Sequence, residues 1–145
     1  QRKSRLYTSL VERGLASSVS GALLPTRDPF LYTLSFTAAD GVAPEALEEA
    51  AVAQVDRVLR NGVSDDEVRR ARRQLRARLV FENDSVTNVA HQLGYFETVA
   101  GSGYLAQLER RIGSVTAEQV SEAAREYLTA RTRTVGWFQP SRQAA

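Results

Sequence analysis

The stretch Ser4-Arg5-Leu6-Tyr7-Thr8-Ser9-Leu10-Val11-Glu12-Arg13-Gly14-Leu15-Ala16-Ser17-Ser18-Val19-Ser20-Gly21 decides how the rest of this chain is read. Leu6, Tyr7, Leu10 and Val11 recur at three- and four-residue spacing, which predicts a helix with one buried stripe. The periodicity stops at Gly14, the residue type best suited to the left-handed conformation that closes helices. Beyond it Leu15, Ala16, Ser17, Ser18, Val19 and Ser20 are small or compatible with extended backbone, so a strand follows. On spacing alone the segment is a helix, a glycine cap and a strand.

The sequence after this segment alternates in kind. Pro25, Asp28 and Pro29 mark a turn, and Phe30–Thr37 is rich in aromatic and β-branched residues. Phe30, Tyr32, Leu34 and Phe36 give that second strand an apolar face, with Leu31 the exception, and the two strands form a hairpin-like unit. Pro44 at a first helical position, with Glu45, Glu48 and Glu49 close behind, predicts a helix whose buried stripe is Leu47, Ala51, Val55, Val58 and Leu59 and which ends at Asn61-Gly62. Ser64-Asp65-Asp66-Glu67 is a capping box, in which serine and glutamate each satisfy a backbone donor of the first turn. The helix it opens places Val68, Ala71, Leu75 and Leu79 on one face. A further amphipathic stretch runs from Ser85 to Val99, with Asp84 or Ser85 as its cap and Val86, Val89, Ala90, Leu93 and Phe96 inward.

Gly101-Ser102-Gly103 breaks that pattern, and Tyr104, Leu105, Leu108 and Ile112 predict a short helix. Thr116-Ala117-Glu118-Gln119 is a second capping box, before a helix with Val120, Ala124, Tyr127 and Leu128 inward. Arg133–Gln139 reads as a last strand stopped by Pro140, with a frayed tail over 141–145. The order predicts an α+β fold, a mainly antiparallel sheet with helices packed on one face, in one domain over residues 1–140. So thin a sheet has exposed edges, which leads to the expectation that a first strand is missing.

Composition narrows the function classes. The 145 residues suit a single core that buries about 70% of the unfolded surface. No apolar run approaches the ~20 residues that span a bilayer, so membrane insertion is not expected. There is no cysteine, which excludes disulfides and thiolate metal sites and leaves the compartment open. Gln1-Arg2-Lys3 is not followed by the apolar run of a signal peptide. Methionine is absent from the sequence, so a processed product or a piece of a longer polypeptide is expected.

Three segments carry a resemblance in order: Ser4-Arg5-Leu6-Tyr7 through Leu15-Ala16-Ser17-Ser18-Val19, the helix–glycine–capping-box run Gly62 to Arg72, and Ile112-Gly113-Ser114-Val115-Thr116 before the last helix. Together they resemble the C-terminal domains of insulinase/pitrilysin-like zinc metallopeptidases, which include the mitochondrial processing peptidases. The resemblance implies the non-catalytic half of a zinc endopeptidase, closing a peptide chamber opposite a half that holds zinc. It also implies a strand and a helix ahead of Ser4. Its partners would be a zinc-motif-bearing domain or subunit and a peptide substrate. The alternative within the same family is a scaffold homologue that has lost peptidase work.

The chemistry carried by this sequence fits a non-catalytic role. Peptidases of that family use His-Xaa-Xaa-Glu-His, two zinc-binding histidines and a glutamate base. Here His91 stands alone, so no catalytic residue, metal ligand or cofactor is assigned to this chain, and zinc is expected in the partner half. No Gly-Xaa-Ser-Xaa-Gly elbow, phosphate loop or Walker-type lysine is present, Lys3 being the sole lysine. Many family members grip the peptide backbone with an arginine after the helix leucine and a tyrosine after Leu-Ala. In this sequence those positions hold Val11 and Ser17, and only Ser17 could offer a hydroxyl to substrate. The arginines at 69, 70, 72, 73, 76 and 78 raise a nucleic-acid reading. Asp65, Asp66, Glu67 and Glu82 on the same segment, the lack of interleaved aromatics and a net charge of +2 favour a solvated helix face instead.

Overall fold

The computed structural model of the protein describes residues 4–24, 26–28, 30–82, 84–101 and 103–139, with Glu82 described by its backbone alone. Expectations for residues 1–3, Pro25, Pro29, Asn83, Ser102, Pro140 and the tail 141–145 lie outside the described residues. A helical turn at Tyr7–Val11 leads to strand β1 (Ala16–Leu23) and strand β2 (Tyr32–Ala38). Helices α1 (Pro44–Asn61), α2 (Asp65–Glu82), α3 (Val86–Ala100), α4 (Gly103–Ser114) and α5 (Ala117–Tyr127) follow, then a single 3-10 turn at Ala130–Thr132. Ser17 and Ser18 reach Thr37, whereas Gly21 lies against Tyr32, Thr33 and Leu34. Partners therefore run in opposite order, and β1 and β2 form a two-stranded antiparallel sheet in an α+β fold.

The contacts group into two compact units, the described residues of Gln1–Val19, Phe36–Arg60 and Ala123–Ala145 in one and of Ser20–Ser35 and Asn61–Glu122 in the other. The first unit is built on Leu10, which is fully buried, with Ala16, Leu47 and Ala51 around it. Leu6, Val11, Leu15, Val19 and Phe36 pack against this nucleus. The predicted stripe of α1 is in place, with Leu47 and Ala51 buried and Val55, Val58 and Leu59 half-buried.

In the second unit α4 packs against both α2 and α3. The Phe96 and Tyr104 rings stack at 5.6 Å, and the Arg111 guanidinium lies 5.0 Å from the Tyr104 ring centre, a cation–π contact. Both capping boxes are formed: Ser64 N donates to Glu67 Oε2 at 2.8 Å and Glu67 N to Ser64 Oγ at 3.3 Å. Thr116 and Gln119 repeat the exchange at 3.0 and 3.2 Å. Ser85 caps α3 by accepting from Asn88 N. Gly62, at φ +67° just past α1, is buried against Ser121, whose hydroxyl accepts from Val63 N at 3.2 Å and donates to Ala117 O at 2.7 Å.

Several sequence expectations are corrected. On α2 Val68 is buried and Leu79 half-buried, but Ala71 and Leu75 are exposed. On α3 Val89 and Phe96 turn inward, whereas Ala90 is exposed, Val86 is 88% exposed and Leu93 53%. This helix has apolar residues on more than one side, and periodicity cannot choose which side a neighbour will cover. Tyr127 of α5 and Phe30 and Tyr32 of the hairpin are exposed as well. The last strand, predicted over 133–139, is absent: those residues are exposed and irregular. A strand exists only where a neighbouring strand completes its hydrogen bonds, and among the described residues only β1 and β2 pair.

Candidate functional site

The candidate site is the helix-to-strand segment itself. Its helical turn is wide: Glu12 N donates to Tyr7 O at 3.1 Å and Leu15 N to Leu10 O at 2.8 Å, each five residues back. Gly14, at φ +71°, lets the backbone reverse, and Gly14 N closes on Val11 O at 3.0 Å. Leu15 O then accepts from Ala39 N at 3.1 Å, which ties the start of β1 to the end of β2. Leu10 and Ala16 point into the core and fix the segment at both ends.

That anchoring decides what positions 11 and 17 can do. Val11 is half-buried and packs on the Leu10 cluster. Ser17 is exposed, and its hydroxyl donates to Thr37 O at 3.3 Å. Next to it, Ser18 Oγ donates to Thr37 Oγ1 at 2.9 Å. A serine hydroxyl that donates once keeps its lone pairs, so Ser17 retains acceptor capacity for a backbone N–H.

His91 is exposed on α3 and stacks on Tyr95 at 6.5 Å. Among the described residues there is no group of three or more His, Asp or Glu side chains able to hold a metal. A zinc ion needs three protein ligands to be held for catalysis, so the donor set present here does not fit it. Among the described residues no helix is long and apolar enough to cross a membrane.

Three arginines of α2 have partners inside their own unit. Arg69 pairs with Asp66, Arg72 donates to Val115 O, and Arg76 lies 3.9 Å from Glu109. Arg72 and Arg76 thus bring positive charge to the C-terminal end of α4, where the last carbonyls lack helical partners.

One arrangement has no counterpart in the sequence reading. Trp137 Nε1 donates to Glu48 Oε2 at 3.0 Å, which holds the segment beyond α5 against α1 beside a groove of about 630 Å³. Glu45, Glu49 and Asp56 line the same groove with Arg133. The one available signal is that Trp137 is the sole tryptophan.

The helix–glycine–strand segment and the two-stranded antiparallel sheet it feeds, with the helices that follow, define an α+β fold. Residues 1–75 match the peptidase M16 inactive domain, and the chain belongs to that family of zinc metallopeptidase domains. Among solved structures, it is similar to a protein described as a zinc protease from Bordetella pertussis Tohama I, with a TM-score of 0.85 and 23% identity over 97% of this chain and 78% of that one. It is also similar to the inactive peptidase domain of a protein described as a zinc protease from Bordetella parapertussis, with a TM-score of 0.82 and 22% identity over 99% and 79%. A protease from Helicobacter pylori matches with a TM-score of 0.81 and 17% identity over 89% of this chain and 32% of that one. At these identities the three structures establish the shared fold. No curated protein sequence matches this one.

Proposed function

We propose that this protein is the non-catalytic C-terminal domain of a zinc-dependent endopeptidase, closing a peptide-binding chamber opposite a zinc-bearing half. The match of residues 1–75 to the family's inactive domain carries this reading. In it, residues 1–140 form one domain, 141–145 are its tail, and zinc belongs to the partner half. The work of this domain is to wall the chamber and meet the peptide, and Ser17 is its candidate contact. One hydroxyl in place of a guanidinium and a phenol gives a weak grip, so orientation of the peptide falls mainly to the other half. No nucleic-acid role belongs to this reading, since Arg69, Arg72 and Arg76 have partners within the domain.

A second reading, a scaffold that has lost peptidase work, is favoured by Val11 and Ser17 standing where many relatives carry the gripping pair. Peptide hydrolysis with zinc quantification separates the two, first on this chain and then on its mixture with a zinc-motif-bearing half from the same gene or a neighbouring one. A domain that is inert and metal-free alone but raises the turnover of that half supports the enclosing role. A mixture that forms a complex yet stays inert and zinc-free overturns it in favour of the scaffold.

A further inference from the structure

We draw no further inference here: the strongest candidate, the groove along α1 where Glu45, Glu49 and Asp56 lie beside Trp137, is an acidic cluster whose companion observation is a hydrogen bond within it, and nothing in the structure shows what it would hold.

Discussion

Gly62 is where a single methyl group should do the most damage for its size. The residue sits at φ +67°, and a Cβ built there would lie 2.7 Å from Ser121 Oγ. Gly62→Ala therefore acts twice. Holding alanine in left-handed backbone costs about 1–2 kcal/mol. Displacing the Ser121 hydroxyl removes the acceptor of Val63 N and leaves a part-buried donor unpaired, at about 1–3 kcal/mol. The expected loss is about 2–5 kcal/mol, a large fraction of the stability of an ordinary domain. Gly14→Ala is the internal control, because Gly14 has φ +71° and a Cβ there would meet nothing within 4 Å. It should lose only the backbone component. Urea unfolding of both variants, analysed at a common m-value, reads the difference. Ser121→Ala completes the cycle: once the hydroxyl is gone, Gly62→Ala should cost about 1–3 kcal/mol less than in the parent, leaving the backbone component. Equal losses for Gly62→Ala and Gly14→Ala, or strict additivity with Ser121→Ala, would refute the reasoning.

Other changes test separate parts of the structure. Leu10→Ala empties a fully buried site and should cost about 2–5 kcal/mol in the same unfolding assay, whereas Leu93→Ala on α3, 53% exposed, should cost far less. Ser64→Ala and Thr116→Ala each remove a capping oxygen and should each lower stability by about 1 kcal/mol, with reduced helical circular dichroism on warming. Glu48→Gln weakens the contact to the sole tryptophan, so the emission of Trp137 should shift while the unfolding midpoint barely moves; an unchanged spectrum would place the indole elsewhere. Ser17→Ala should reduce kcat/KM of the assembled peptidase by no more than about tenfold, the worth of one neutral hydrogen bond, without changing zinc content.

The parts legible in the sequence are those that a few neighbouring residues decide. Ser64 with Glu67 and Thr116 with Gln119 lie three positions apart, so each capping box needs no tertiary contact to be complete. Gly14 and Gly62 are readable as helix ends because few other residues tolerate their backbone angles. The α1 stripe is legible because its large apolar residues, among them Leu47, Val55, Val58 and Leu59, fall on one side. Val11 and Ser17 enter only through the family resemblance of the segment around Leu10 and Gly14, and a contact of Ser17 with peptide belongs to the proposed function.

Tertiary structure decided the rest. Helix α3 offers apolar residues on several sides and packing left Val86 and Leu93 outside, whereas on α2 Leu75 is exposed although it shares a face with the buried Val68; which surfaces are covered is decided by neighbours rather than by periodicity. The pattern over 133–139 suits a strand, but strand formation needs the hydrogen bonds of a partner that local sequence cannot supply. The indole of Trp137 instead meets Glu48, 89 positions away. Local chemistry fixed where helices start and stop, because caps and glycine conformations are short-range. Burial and pairing depend on which distant surfaces meet, and only folding brings those surfaces together.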